Sequence, residues 1–212
     1  TVMVGDAYYT TLEAALKAVY VGGPYETPVD IICKENANLG RMAPHTHIAD
    51  SINIIGNGAT VKGDLEIDTY KYARGKYAQD ANGDYLTKDI TVNVEGLNGI
   101  AAWGERHTDK VVTLNFKDCK NMGEVYFTGK PEVNGTINIT LDGCSFNAAN
   151  GSNANSSVYT NNPGTISITD CEFDGIAVPV NLNNKSNGKQ TVTVKNATFT
   201  DCATKALAAA QN

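Results

Sequence analysis

The densest cluster of reactive side chains in this chain is Glu105-Arg106-His107-Thr108-Asp109-Lys110, placed directly after Trp103. Carboxylates, an imidazole and two cations within six residues are able to supply an acid, a base and substrate-binding groups. A solvated turn explains the same run more simply. His45-Thr46-His47 with Asp50 sets two imidazoles on one side of an extended segment, a partial zinc set without a third firm ligand. Asp80-Ala81-Asn82-Gly83-Asp84 offers oxygen ligands at alternate positions, but it lacks the remaining spacing and the distal Glu of a calcium loop. Asn82-Gly83 is a hairpin dipeptide. Tyr70, Tyr72, Tyr77 and Tyr85 crowd one polar stretch, where phenol rings supply rigid amphipathic contact surface for a protein or a sugar ring. Packing back over the body of the protein is the alternative. The candidate binding residues are therefore Tyr70, Tyr72, Tyr77, Tyr85, Trp103, Glu105, Arg106 and His107. No residue is assigned a catalytic or metal-binding role, and no cofactor is implied.

The elements that must position these residues follow from composition and periodicity. The chain has 212 residues, 42% hydrophobic and 19% charged, enough to build a core. Its net charge of -6 and three arginines leave no basic stripe for nucleic acid. No apolar run reaches the roughly 18 residues of a membrane span. The chain starts at Thr1 without a Met, and the expectation is a mature or excised segment. Asn (23 residues), Thr (22) and Gly (20) dominate, a composition suited to turns and short strands. An all-β domain is predicted.

The first segment is the exception. Thr10-Thr11-Leu12-Glu13-Ala14-Ala15-Leu16-Lys17-Ala18-Val19 places apolar residues at helical spacing, and Thr10 with Glu13 has the spacing of a capping box. Residues 68–90 break the strand pattern and read as an inserted hairpin or loop. From residue 90 onward the chain repeats itself. Val92, Leu114, Ile139, Ile166 and Val192 occupy one phase, separated by 22, 25, 27 and 26 residues, and Ile52 fits the same phase earlier. Each unit alternates polar and apolar residues, reaches a Gly, Asp or Asn, then a small apolar residue, and often Phe two positions later. Second apolar strands follow at 100–103, 125–127, 158–159, 178–180 and 206–208. Repeats of this length mean a solenoid of stacked coils.

Stacking places Cys119, Cys144 and Cys171 in one internal column. Parallel side chains do not converge as a disulfide requires, so the expectation is a row of buried thiols acting as small hydrophobes. Gly96, Asp118, Gly143, Asp170 and Asn196 fall at the following turn, where a structural role outweighs a catalytic one. The outward Thr and Asn rows resemble ice-binding arrays, but bordering charges make ordinary solvation the simpler reading.

The capped helix, the run Ile52-Asn53-Ile54-Ile55-Gly56-Asn57-Gly58-Ala59-Thr60 and the coils of form Val-x-Val-x-Asn-x-x-Phe together resemble a right-handed parallel β-helix of the pectate-lyase-like superfamily, of bacterial surface or secreted type. The resemblance implies a single-stranded β-helix over 1–212, with an N-terminal capping helix and first coil in 1–48, the inserted hairpin at 68–90 and regular coils in 91–212. It specifies a fold and not an activity. Enzymes of this superfamily that cleave acidic polysaccharides use Arg or Lys beside calcium-holding carboxylates, and no such set is quotable here.

The expected function is therefore a non-enzymatic extracellular or cell-surface module for binding or adhesion, part of a larger bacterial protein. Its partner would be a host protein or a polysaccharide. A polysaccharide lyase or glycoside hydrolase, and a passive stalk, are the alternatives. The C-terminal run Ala206–Asn212 shows no polar cap, so the expectation is that the native protein continues or pairs there with another chain.

Overall fold

The computed structural model describes residues 1–20, 25, 28–43, 46–47, 51–73, 76–104, 109–128, 135–183, 188–203 and 207–209. These residues form a parallel β-solenoid of about six turns. One face is a nine-stranded sheet whose parallel part runs through Val29–Cys33, Ser51–Ile55, Ile90–Glu95, Val111–Lys117, Thr136–Asp142, Gly164–Thr169 and Gln190–Lys195. A second face of eight strands includes Thr60–Glu66, Asn98–Gly104, Val125–Phe127, Ser156–Thr160 and Val178–Leu182. A third, narrow face holds Ser145–Asn147, Glu172–Asp174 and Thr198–Thr200.

The first-face register is the one that the repeat predicts. Ile52, Val92, Leu114, Ile139, Ile166 and Val192 are successive partners. All but Val192 are 0–3% exposed, because alternate residues of each strand point into the coil. Burying each such aliphatic side chain contributes about 1.5–3 kcal/mol. The turn row is structural, as expected: Gly96, Asp118, Gly143, Asp170 and Asn196 all have φ between 51° and 63°, the left-handed region that Gly, Asn and Asp tolerate. It bends the chain at the same height in every coil.

The thiol column is present. Cys119, Cys144 and Cys171 are free and buried in adjacent coils. Their Sγ atoms reach carbonyls such as Lys117 O at 3.4 Å, Phe116 O at 3.4 Å and Thr169 O at 3.2 Å. The contact with Cys119, together with burial, pushes the Cys144 thiol up to about 12. The contact with Cys144 and burial raise Cys171 as well. Phe146, Phe173 and Phe199 form a second column, with centroids 5.2 and 5.1 Å apart and planes within 8°.

The N-terminal end departs from the sequence reading in two details. Val2–Val4 and Ala7–Tyr9 form an antiparallel hairpin, and Val2–Val4 also pairs antiparallel with Val29–Cys33. The helix Leu12–Ala18 buries Leu12, Ala15 and Leu16. Its N-cap is Thr11, whose Oγ1 accepts from Ala14 N at 3.1 Å, so the predicted Thr10 and Glu13 box does not form. Glu13 instead pairs with Lys17 and accepts from Ala43 N at 2.9 Å, which together hold its carboxyl below the usual range.

At the opposite end the last described coil is partly exposed. Val194 and Phe199 are 47% and 37% exposed, although their partners in the preceding coil, Ile168 and Phe173, are buried. No helix among the described residues is long and apolar enough to cross a membrane.

Candidate functional site

The insertion leaves the second face after Ile67, whose N–H is donated to Trp103 O at 2.8 Å. Its three extended segments are bonded pairwise: Lys71 N to Leu86 O at 2.8 Å, Ala78 N to Lys71 O at 2.8 Å, and Leu86 N to Ala78 O at 2.9 Å. The arm is thus a small closed unit that includes the hairpin turn at Asn82-Gly83, with Gln79 and Tyr85 bridged antiparallel across it. Tyr70, Tyr77 and Tyr85 form its centre, with ring centroids 5.5, 5.9 and 6.0 Å apart. Buried Asp68 accepts from Tyr70 N and from Tyr77 Oη, each at 2.9 Å. Tyr70 and Tyr77 are half-buried and Tyr85 is 54% exposed, so Tyr85 is the most outward of these three rings. The backbone of Tyr72 pairs with Tyr77.

Asp80 Oδ1 accepts from Asn82 N at 2.8 Å and from Asp84 N at 3.0 Å. This closes the 80–84 turn, as the hairpin reading of that segment expects.

Glu105, Arg106 and His107 lie outside the described residues, as do His45 and Asp50 of the partial zinc set. Among the described residues, no three His, Cys, Asp or Glu side chains gather as metal ligands would.

Trp103 leads to a different constellation. In the second face Glu66, Trp103, Tyr126, Tyr159 and Asn181 are successive register partners, one per coil. Tyr126 and Tyr159 stack at 4.8 Å and 16°. Their faces are turned to each other, which leaves ring edges and hydroxyl groups outermost. Asn183 Nδ2 donates to Tyr159 Oη at 3.2 Å. Beside this aromatic row runs a second one. Asp64 pairs with Ala101, and the pairing of Ala102 with Val125 sets Ala101 next to Glu124. The two carboxylate residues are thus two coils apart, about 9–10 Å between backbones.

Between the rows lies a hollow of about 570 Å³, lined by Asp64, Ala101, Trp103, Glu124, Tyr126 and Asn153, with Gly123 and Gly151 at its floor and rim. It exists because small residues occupy the positions that would fill it. A Cβ at Gly123 would come within 2.6 Å of Ala101 Cβ. Glu124 is fixed by its neighbours: Asn153 Nδ2 donates to Oε2 at 2.6 Å and Ser156 Oγ donates to Oε1. Each carboxylate oxygen keeps a second lone pair for a ligand. A neighbouring hollow of about 520 Å³ shares Asp64, Ala101 and Gly123 and brings in Arg41 and Lys62.

The exposed side of the first face is bonded to itself. Asn115 Nδ2 donates to Asn93 Oδ1, Asn93 Nδ2 to Asn53 Oδ1 and Asn53 Nδ2 to Asp30 Oδ1, all at 2.8 Å. Amides engaged in such a ladder are spent on coil-to-coil cohesion. The ladder ties successive coils together along this face.

Of the predicted binding residues, then, Tyr70, Tyr77 and Tyr85 come together in the arm, and Trp103 stands in the second-face hollow. Asp64, Glu124, Tyr126 and Asn153 were not singled out from the sequence. The available signal was the phase of the second strands, in which Trp103, Tyr126 and Tyr159 fall at equivalent positions. No protein-family model matches this chain, and neither does any curated protein or solved structure.

Proposed function

We propose that this chain is a non-enzymatic extracellular module for binding or adhesion, belonging to a larger bacterial surface or secreted protein of pectate-lyase-like type, and that its ligand occupies the second-face hollow. One observation carries the reading: Trp103, Tyr126 and an oriented Glu124 converge on a preformed hollow in a rigid coil wall. Aromatic and polar groups in a concave, preorganised site are the usual makings of recognition. The connections from the second face back to the first, among them 67–89 and 105–110, vary in length from coil to coil. Solenoids commonly vary such loops on the side that binds.

A hydrolase is the second reading. It is favoured by Asp64 and Glu124 flanking one hollow, since glycoside hydrolysis takes a pair of carboxyl groups on either side of the scissile bond. An array of glycans and host proteins tests the first reading. Bound ligand should be retained intact by the wild-type chain and lost with Trp103→Ala, while the circular dichroism stays unchanged. Release of reducing ends from a bound glycan would replace the module with an enzyme, and equal retention by Trp103→Ala would move the site off this hollow.

A further inference from the structure

We propose that the second-face hollow takes a non-acidic glycan, made of neutral or amino sugars, and rejects polyuronates; this rests on the reading of the hollow as the binding site. Three properties of the lining point that way.

The first is charge. Asp64 and Glu124 line the hollow, Glu66 stands next to Trp103 in the adjoining row, and among the described residues the lining carries no cationic side chain. Arg41 and Lys62 belong to the neighbouring hollow, on the far side of Asp64. A uronate carboxylate entering beside Glu124 would meet like charge at short range, whereas a sugar hydroxyl or ammonium would meet an acceptor.

The second property is the acceptor and donor inventory. Asn153 gives one of its two amide hydrogens to Glu124, and Ser156 gives its hydroxyl hydrogen. The carboxylates of Asp64 and Glu124 line the hollow as acceptors, to which a ligand brings hydrogens. A ring with adjacent hydroxyls does so at two points, matching the two oxygens of one carboxylate. The strand backbone beneath is committed to coil pairing, for example Ala102 N to Glu124 O at 3.2 Å and Gly123 N to Ile100 O at 2.9 Å. An extended peptide would find no free sheet edge there for its own backbone groups, which disfavours a protein segment as the occupant.

The third is the aromatic rim. Trp103 and Tyr126 border the carboxylates on successive coils. An amphipathic ring offers apolar surface to the C–H groups of a sugar while hydroxyls face Glu124, and it attracts an ammonium group when the sugar carries one. Successive coils are about 4.8 Å apart, close to the length of one sugar unit, so a chain lying along the solenoid axis meets each coil in similar register.

The test is calorimetric titration of the whole chain with matched oligomers: a neutral β-glucan, its amino-sugar counterpart and an oligogalacturonate. Lysine-rich peptide is added as a fourth arm. The neutral or amino oligomer should bind, and the uronate should bind at least about tenfold more weakly. Glu124→Gln should weaken the bound glycan about tenfold or more, as expected for loss of a hydrogen bond to a charged group. Ala101→Leu, which fills the hollow and leaves its net charge unchanged, should abolish binding, and Tyr8→Ser, at the distant and exposed hairpin, should leave it unchanged. Ala101→Leu stands in if Glu124→Gln fails to fold. Tightest binding of the uronate or the peptide, lost with Ala101→Leu, would overturn the ligand class and leave the site standing. Binding of any ligand that survives Ala101→Leu would overturn the site itself, and a folded chain that binds none of the four would overturn both.

Discussion

Phe173→Ala tests whether the coil stack is as continuous as the structure shows. Phe173 is 1% exposed and lies between Phe146 and Phe199, at 5.2 and 5.1 Å with nearly parallel rings. Truncation removes a fully buried ring and leaves a cavity that is hard to refill, because the strand that carries it, Glu172–Asp174, is pinned by parallel pairing on both sides. Phe-to-Ala changes at such sites cost about 3–5 kcal/mol. Two ring contacts are lost as well, each worth about 0.5–1.5 kcal/mol beyond area, which places this substitution at the upper end of the range. Phe199→Ala is the internal control. Its ring is 37% exposed and has a stacked neighbour on one side only, so roughly half that cost is expected, about 2 kcal/mol.

Urea unfolding followed by circular dichroism gives both values, provided that the slope of each transition stays at the wild-type value. The chain has one tryptophan, Trp103, which reports separately on a coil remote from the change. Equal costs for Phe173→Ala and Phe199→Ala, or a Phe173→Ala cost under about 1.5 kcal/mol, would refute the stacked column and with it the placement of the final coil.

Three further outcomes follow from other parts of the chain. Thr11→Ala should cost about 1 kcal/mol by loss of the helix cap, whereas Thr10→Ala should be close to neutral; thermal melts of the pair distinguish the observed cap from the one predicted by spacing. Burial pushes the Cys33 thiol up to about 11, and Cys144 is raised to about 12. Because the folded values exceed the ordinary thiol value of 9.0, the stability they contribute is fully present below about pH 9 and lost as pH rises toward 11–12. Denaturant midpoints measured from pH 7 to 11 should therefore fall only above pH 9, and less steeply in Cys33→Ser. Tyr77→Phe removes the hydroxyl bonded to buried Asp68. It should raise the rate of limited proteolysis within 68–90 by about tenfold, as expected for losing one charge-assisted hydrogen bond, without changing the global urea midpoint.

The first face was legible because its residues carry two constraints at once. Alternation of the type Thr91-Val92-Asn93-Val94 sets which side is buried, and Gly96, Asp118, Gly143, Asp170 or Asn196 sets where the strand must end. A slip of one residue would expose every Val and Ile, so register followed directly. The second strands were visible as apolar runs, but connections such as 118–124 and 143–155 differ in length, and no counting from the first face brings Trp103 opposite Tyr126.

The N-terminal hairpin was missed because strands of three residues, Val2–Val4 and Ala7–Tyr9, are too short for a period to declare itself. The hollow was beyond reach for a related reason. Asp64, Ala101, Glu124 and Asn153 come from separate parts of the repeat and from corners of unequal length. Only their register makes them neighbours. Where the sequence drew attention to polar density, the structure drew it to places where a side chain is small: Ala101, Gly123 and Gly151 create the space that charged runs only border.

Trp103 allows the most direct measurement of the central claim. Since the chain has a single tryptophan and it lines the hollow, any ligand seated there must change its emission. Titration with a neutral or amino-sugar oligomer should give a saturable shift in Trp103 fluorescence, with the same midpoint as calorimetry and no shift in the Ala101→Leu variant. Calorimetric binding with unchanged Trp103 emission would contradict the assignment of the second-face hollow as the receptor site.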